Sequence, residues 1–183
     1  MRPPLRKRGF CHVFGDDIPL DEGIMPFRFA IGRVTDPKEL IPHLFAAIDA
    51  AFPQRVRHGD LILAGRNFAC GKAHMQGFIA MEALGIGVLC GSMPYKAHRG
   101  AVGRGVPILT GCSGIGEFAA TGDEIEVDFS TGEASNITRG TARRFPPIPE
   151  ILGDIVARGG LKGSLAAWLA EHPEMRAPIA AQE

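Results

Sequence analysis

Short apolar runs alternate with turn-forming residues along this chain, a pattern that predicts an α/β domain. Four mostly apolar runs are bounded by glycine, proline or polar residues, as is typical of strands buried on both faces. They lie at residues 10–14, 60–64, 86–90 and 106–110. A later segment, residues 124–129, alternates polar and apolar positions, as a half-exposed strand does. A turn at residues 130–133 and a returning run at 134–138 complete a predicted hairpin.

Residues that typically begin or end helices predict helices between and after these strands. Asp36, Pro37 and Glu39 form a strong helix start, because a capping side chain precedes a proline and then a glutamate. This helix is expected to run to about Ala51, with its apolar face formed by Leu40, Leu44, Phe45 and Ile48. Further helices are expected at residues 73–84, 92–103, 150–158 and 165–171. The order of elements predicts a mixed sheet flanked by helices.

Length and charge narrow the class of protein. We expect a single domain over residues 1–183, with a core at about 9–161 and frayed tails at 1–8 and 172–183. The 20 Lys and Arg residues balance the 20 Asp and Glu residues, which argues against a nucleic-acid partner. The apolar stretch at residues 77–95 contains Glu82 and several glycines, so we assign it to the core and expect no membrane partner.

The cysteines do not predict a metal site in this chain. Cys11, Cys70, Cys90 and Cys112 contain no CxxC pair, and the histidines show no ligand spacing. Three of the cysteines lie in or beside apolar runs, which predicts buried free thiols. Free thiols favour a reducing, cytoplasmic compartment.

The segment from Asn67 to His74 is the strongest candidate for chemistry. It follows a predicted strand and opens a predicted helix, so unpaired N–H groups and the helix dipole would favour an anion there. Lys72 and His74 place two titratable side chains at this position. A cation is unfavourable at a helix N-terminus, so Lys72 would have a lowered pKa or pair with an anion. A solvated lysine and an incidental histidine are the alternative.

An acidic loop is the second candidate. Asp16, Asp17 and Asp21 lie in a segment rich in proline and glycine, for which a polar turn is the simpler interpretation. They become candidate site residues only if the fold places this loop beside Gly71.

Several segments, in order, resemble one family. Residues 13–26 resemble the opening GDNIDTD-x-IIP, and residues 59–71 are similar to GDIIVAGxNFGCG. Residues 105–109, 122–128 and 145–161 match later segments of the same pattern. The chain thus resembles the small, swivelling subunit of the aconitase-like hydro-lyases, of the 3-isopropylmalate dehydratase type. The resemblance covers about residues 9–161.

The resemblance implies a three-layer β/β/α swivelling domain and a large-subunit partner that holds a [4Fe-4S] cluster. It implies a heterodimeric lyase of leucine biosynthesis that dehydrates a small carboxylate substrate, with cluster iron taking the hydroxyl. In this family a segment GSSREHA supplies a serine base and an arginine that grips a substrate carboxylate. The candidate residues that follow are Lys72 and His74 for catalysis, and Asn67, Cys70, Gly71, Ala73, Asp17 and Asp21 for substrate binding.

The chain departs from the family pattern at this segment. Lys72 stands in place of the base serine, Ala73 in place of the second serine and His74 in place of the arginine. Two hypotheses follow. In the first, Lys72 is a base or a carboxylate clamp and His74 a weaker clamp, with a substrate unlike 3-isopropylmalate. In the second, the chain is an inactive scaffold or regulatory subunit.

Overall fold

A seven-stranded mixed sheet organises the chain, in the order β4-β3-β2-β1-β5-β6-β7. The structure is a computed structural model and describes residues 5–175. The strands are β1 (Arg6–Val13), β2 (Leu61–Ala64), β3 (Gly87–Cys90), β4 (Ile108–Leu109), β5 (Glu124–Asp128), β6 (Glu133–Asn136) and β7 (Thr141–Arg144).

Eight helices connect or follow the strands within the described part of the chain. They are α1 (Arg28–Ile31), α2 (Pro37–Leu40), α3 (Phe52–Arg55), α4 (Gln76–Ala83), α5 (Tyr95–Gly103), α6 (Ile115–Phe118), α7 (Glu150–Ala157) and α8 (Gly160–Glu171). Short 3-10 turns cover Ile41–His43 and Pro173–Met175. Within residues 5–175, no helix has both the length and the apolar character needed to cross a membrane.

The parallel half of the sheet consists of β1 to β4. Cys11 lies opposite Leu61, Leu61 opposite Gly87, and Val88 opposite Ile108. Every residue of β2 and β3 is buried, because both faces of this half are covered. The continuous apolar runs therefore predicted these strands correctly.

The antiparallel half pairs β5 with β1, β6 with β5 and β7 with β6. In β5 the buried residues Ile125 and Val127 alternate with half-buried acidic ones, as the sequence predicted. Strand β7 was not predicted. All four of its residues are exposed, so it carries no hydrophobic periodicity that could reveal it.

Two hydrophobic clusters separate the fold into three layers. Ile62 and Val88 point into a cluster with Phe78 of α4 and Ala97 of α5. Their strand neighbours Leu61, Leu63 and Leu89 point the opposite way, into a cluster with Ile125, Val127 and Ala134 of the antiparallel half. The parallel half is thus covered by helices on one face and by the curled antiparallel half on the other. This arrangement confirms the expected three-layer β/β/α fold.

The helix expected from Asp36 to about Ala51 is wrong beyond its first turns. Its start is correct, since the Asp36 side chain accepts a hydrogen bond from the Lys38 backbone N–H at 2.9 Å. The chain then leaves the helix, and Phe45 takes a left-handed φ of 55°. The Phe45 N–H donates to the Ile24 carbonyl at 2.9 Å, and the buried ring stacks on Phe14. Tertiary packing of one aromatic residue therefore overrides the local helical pattern.

The expected frayed tails are only partly tested. Residues 1–4 and 176–183 lie outside the described residues. The expectation is wrong for Arg6, Lys7 and Arg8, which form β1 and pair with Asp128, Val127 and Glu126. At the other end, α8 begins at Gly160 rather than at residue 165, after Gly159 with a φ of 77°. The Pro173–Met175 turn continues into the segment that was expected to fray.

Asp123 should make folding stability depend on pH. Its carboxylate accepts hydrogen bonds from the Ala120 N–H and the Asn136 amide, and it pairs with Arg139 at 2.7 Å. These donors, the Ala120 N–H first, lower the pKa of Asp123 in the folded state. The unfolded value is about 3.9. The stabilisation is therefore complete above about pH 5 and decreases as pH falls through and below about 4. Urea unfolding should show a steeper loss for the wild type than for Asp123→Asn, and parallel curves would contradict this.

Candidate functional site

Three loops meet at the carboxyl ends of the parallel strands, where α/β sheets commonly bind ligands. They follow β1, β2 and β3 and cover residues 14–27, 65–75 and 91–94. The candidate residues Asp17, Asp21, Asn67, Cys70, Gly71, Lys72, Ala73 and His74 all lie on the first two loops.

The loop after β2 does not begin a helix where the sequence predicted one. Helix α4 starts at Gln76, three residues after the predicted Ala73, and Met75 precedes it without a side-chain cap. Lys72 and His74 therefore lie on the loop, so the expectation that Lys72 lies at the positive end of a helix dipole is wrong. The cause is the backbone, because Asn67, Ala69 and Gly71 take left-handed φ values of 58°, 60° and 78°. Alternating left-handed residues turn the chain instead of winding it into a helix.

Backbone hydrogen bonds join this loop to the acidic loop. The Cys70 N–H donates to the Ile18 carbonyl at 3.1 Å, and the Leu20 N–H donates to the Cys70 carbonyl at 2.7 Å. The carboxylate of Asp21 accepts from the Lys72 backbone N–H at 2.9 Å. The condition set for the acidic loop is thus met, since it lies directly beside Gly71.

Side chains tie the same two loops together. The Asn67 amide donates to Asp17 at 2.8 Å. Asp16 accepts from the Arg66 backbone N–H and from its guanidinium, and these contacts lower the pKa of Asp16. Both charged groups are well exposed to solvent, so their ion pair adds little stability and chiefly fixes the loop position.

The loop after β3 supports the junction through Ser92. Its hydroxyl accepts from the Asn67 N–H at 2.8 Å, and its carbonyl accepts from the Phe68 N–H at 2.9 Å. These bonds satisfy the backbone of the β2 loop, so residues 67–71 form a fixed cradle.

Phe27 brings the two candidate catalytic residues into one group. The Lys72 ammonium lies 4.2 Å from the centre of the Phe27 ring, which is a cation–π distance. The ring of His74 contacts the same phenyl group edge-on, with centroids 5.6 Å apart. Lys72 is exposed and His74 is half-buried. The contact with an aromatic face suits Lys72 as a cation and therefore as a partner for a carboxylate.

Two adjoining clefts open beside this group. One, of about 630 Å³, is lined by Gly71, Lys72, Ala73 and, from α5, Lys96. The other, of about 600 Å³, is lined by His74, Lys96 and Arg99 among others. Neither cleft has an Asp or Glu in its described lining, so both favour an anion. A separate cavity of about 390 Å³ under α7 lies away from the three loops and contains no candidate site residue.

The cysteines do not form a cluster site in the described part of the chain. Cys11, Cys90 and Cys112 are buried in the core, as predicted, and burial raises their pKa values to about 11, 12 and 12. Cys70 is half-buried on the loop, where burial and then Asp17 raise its pKa. Across residues 5–175, no group of three or more His, Cys, Asp or Glu side chains could hold a metal ion. These residues do not fit an iron–sulfur cluster.

Sequence reasoning missed four residues around the site: Phe27, Gln76, Lys96 and Arg99. Gln76 lies in the segment that aligns with GSSREHA but was given no role, and the other three belong to no motif of the pattern. Their contacts exist only because the chain folds three separate segments together. For Lys96 and Arg99 the sequence offered a weak signal, because these two cations follow closely after a predicted strand.

The fold and the loop cluster define an aconitase-like swivelling domain. The solved structure of 3-isopropylmalate dehydratase (leuD) from Methanocaldococcus jannaschii matches this chain with a TM-score of 0.84 and 30% identity. The match covers 93% of this chain and 99% of the solved one. No protein-family model matches the chain.

Curated relatives found by sequence comparison indicate the same family as the solved structure. The 3-isopropylmalate dehydratase small subunit of Moorella thermoacetica is 36% identical over 155 residues, which cover 84% of this chain and 91% of the relative. The 2,3-dimethylmalate dehydratase small subunit of Eubacterium barkeri is 34% identical over 158 residues, covering 86% and 94%. The chain belongs to the family of isopropylmalate dehydratase small subunits, which are aconitase-like hydro-lyases. The resemblance inferred from the sequence is confirmed.

Proposed function

We propose that this chain is the small subunit of a hydro-lyase that acts on a small hydroxy-carboxylic acid. The observation that carries the proposal is the junction of three loops beside a cleft whose described lining contains two lysines, Lys72 and Lys96, and no acidic residue. The relatives from Moorella and Eubacterium are named for 3-isopropylmalate and 2,3-dimethylmalate. Both are substituted malates that carry two carboxylates, which supports an anionic substrate here.

In this proposal Lys72 grips a substrate carboxylate, and Lys96 lines the same cleft as a second cation. The arginine position of the family pattern holds His74, so the grip on the carboxylate passes to the ammonium of Lys72, which is a point charge and not a planar group that makes two parallel bonds. We therefore expect a different substrate from 3-isopropylmalate, or a weaker hold on it. The site around the carboxylate is shaped by the cradle residues Asn67, Cys70 and Gly71, by Ala73, and by the loop residues Asp17 and Asp21.

The partner in this proposal is a large subunit that holds a [4Fe-4S] cluster. The cysteines of this chain do not converge on a cluster site, which supports placing the cluster in that subunit. The described cysteines are all free, which supports a reducing, cytoplasmic compartment. We propose a heteromeric complex in which this chain supplies binding and orienting groups.

Reconstitution with the large subunit tests the function. The two subunits should be co-expressed, purified under anaerobic conditions and assayed with 3-isopropylmalate, 2,3-dimethylmalate and other 2- and 3-hydroxy acids. We expect dehydration of at least one hydroxy acid only when both subunits are present. The separate subunits are the controls. A stable, cluster-containing complex without turnover on the whole panel would instead support the inactive scaffold.

A further inference from the structure

The two clefts beside the three-loop junction share one wall. The Lys72 cleft is the one of about 630 Å³, and the Arg99 cleft is the one of about 600 Å³. Ala73, Lys96 and Ala97 line both clefts. A substrate whose carboxylate is held at Lys72 therefore has the Arg99 cleft directly beside it, and its other end can extend there.

The Arg99 cleft carries positive charge that is available to a ligand. Lys96 and Arg99 lie three positions apart on α5, so their side chains leave the same face of the helix. Within residues 5–175 neither of them forms an ion pair, whereas Arg104, directly after the same helix, pairs with Glu82. With no acidic residue in the described lining, the two cations favour a carboxylate in this cleft.

Apolar side chains form the floor of the same cleft. Met75 and Phe78 come from the start of α4 and Leu161 from α8. Phe78 is buried, but Met75 and Leu161 are 37% and 58% exposed, so a ligand can reach their apolar surface.

Two glycines of α5 keep this floor open. A Cβ atom at Gly100 would lie 3.3 Å from Met75 Sδ, and one at Gly103 would lie 3.3 Å from Leu161 Cδ1. Any larger residue at these positions would fill space between α5 and the apolar side chains. The cleft therefore owes its width to positions that carry no side chain.

A malate substituted at carbon 3 has a matching arrangement of groups. Its carbon 3 carries both the second carboxylate and the substituent, next to the carbon that bears the hydroxyl. Once Lys72 holds the first carboxylate, the second carboxylate and the substituent must therefore lie close to one another. The Arg99 cleft offers cations and an apolar floor in one place, immediately beside the Lys72 cleft.

The volume of the cleft indicates a large substituent. The three carbons of an isopropyl group take about 90 Å³ if each fills about the 30 Å³ share of a water molecule. The Arg99 cleft, of about 600 Å³, leaves most of its space free around such a group. Clefts of about 300–1,000 Å³ commonly hold much larger ligands.

We infer that the Arg99 cleft is the subsite for carbon 3 of the substrate and that it takes an apolar substituent larger than isopropyl, such as a benzyl group. Arg99 and Lys96 bind the second carboxylate. Met75, Phe78 and Leu161 contact the substituent. The inference rests on the proposed function and narrows its substrate class to malates with a bulky apolar group at carbon 3.

A substrate series on the reconstituted complex tests the size of the subsite. For malates with methyl, isopropyl, isobutyl and benzyl groups at carbon 3, kcat/KM should rise by about fourfold for each added CH₂ group that is buried. The benzyl compound should be the best of the four. A wild-type complex that turns over 3-isopropylmalate and prefers it to the benzyl compound would overturn the inference and leave the proposed function standing.

Two substitutions that narrow the cleft locate the subsite. Gly100→Leu fills it from α5, and Leu161→Phe fills it from α8. Each should lower kcat/KM for the benzyl compound at least tenfold relative to 3-methylmalate. Leu165→Phe is the matched control, since Leu165 lies one turn further along α8, is 57% exposed and is not in the described lining. If Gly100→Leu does not fold, Leu161→Phe still decides, because its exposed position tolerates a larger side chain.

Binding of analogues that cannot react separates the subsite from the proposed function. Calorimetric titration of the complex with benzylsuccinate and isopropylsuccinate uses ligands with both carboxylates and the substituent but no hydroxyl, so it needs no turnover. The wild type should bind benzylsuccinate more tightly, and Leu161→Phe should lose this preference. Arg99→Gln should weaken both analogues about tenfold, as expected for one lost charge-assisted hydrogen bond, whereas Arg144→Gln on β7 should bind as the wild type does.

The possible results distinguish the two claims. A complex that binds the analogues in this order but dehydrates no hydroxy acid would overturn the proposed function and leave the subsite. The inference would be overturned if neither analogue binds, if Leu161→Phe and Leu165→Phe behave alike, or if Arg99→Gln and Arg144→Gln do. It would also be overturned if Leu161→Phe prevents subunit assembly while Leu165→Phe does not, because the cleft would then hold the large subunit and not the substrate.

Discussion

Replacing Lys72 with alanine should lower kcat/KM of the reconstituted complex by about 10- to 100-fold while leaving subunit assembly intact. The reason is the loss of a charge-assisted hydrogen bond to the substrate carboxylate, which contributes about 1.5–3 kcal/mol. The fold should not change, because Lys72 is exposed and its structural contact is the backbone N–H bond to Asp21, which alanine keeps. Steady-state kinetics and size-exclusion chromatography of the variant complex measure the two effects.

Lys72→Arg shows whether Lys72 binds the substrate carboxylate as a cation or acts as a base, and Lys38→Ala is the control. Lys72→Arg keeps the positive charge above Phe27, so a clamp should retain much of its kcat and change mainly in KM. A base would lose kcat in the same variant, since an arginine does not accept a proton at neutral pH. Lys38→Ala removes an exposed lysine outside the site and serves as the matched control. Wild-type kinetics in Lys72→Ala would exclude Lys72 from the site.

The family resemblance implied that the loops of Asp17 and Lys72 share one site, but the sequence did not reveal the backbone path of these loops. The strands before Asp16 and Asn67 were recognisable because buried parallel strands are continuous apolar runs, and adjacent strands bring their following loops together. The start of α4 was misplaced because Ala73 and Met75 are good helix formers. The left-handed turns at Asn67 and Ala69 that delay the helix depend on hydrogen bonds that the loop donates to Ser92 and Ile18, which lie far away in sequence.

The same absence of long-range information explains two further errors in secondary structure. The segment after Leu40 has a helical apolar pattern, yet Phe45 leaves the helix to reach a core formed by Phe14, Phe52 and Phe68. Strand β7 has no apolar pattern and exists because its backbone pairs with β6. In both cases the deciding contacts are long-range, and local periodicity contains no information about them.

The residues of the site were likewise predictable only where a local motif marks them. Lys72 and His74 were found because motif positions mark them, whereas the hydrogen bond between Gln76 and Val34, 42 positions earlier in the chain, exists only in the folded chain. Long-range contacts of this kind leave no signature in the sequence and are therefore found from hydrogen-bond geometry.

Replacing Asp60 with alanine should lower the free energy of unfolding by about 3–5 kcal/mol, a large part of the total stability of a small domain. Asp60 is 2% exposed and lies immediately before β2. Its carboxylate accepts from the Phe10 N–H at 3.1 Å, the Arg57 N–H at 2.9 Å and His12 Nε2 at 2.9 Å. Alanine would leave these donors without their acceptor, and a donor that stays buried, as His12 does, costs about 1–3 kcal/mol. Urea unfolding followed by circular dichroism measures the loss.

A comparison with the exposed Asp36 shows whether burial of Asp60 causes the large loss of stability. Asp36 also accepts a backbone N–H, from Lys38 at 2.9 Å, but it is exposed, so Asp36→Ala should cost about 1 kcal/mol. Asp60→Asn keeps one acceptor oxygen and should fall between the two. Equal losses for Asp36→Ala and Asp60→Ala would contradict the argument. Since Asp60 ties β1 to the start of β2, its loss should also loosen the two strands that carry the loops of Asp17 and Lys72.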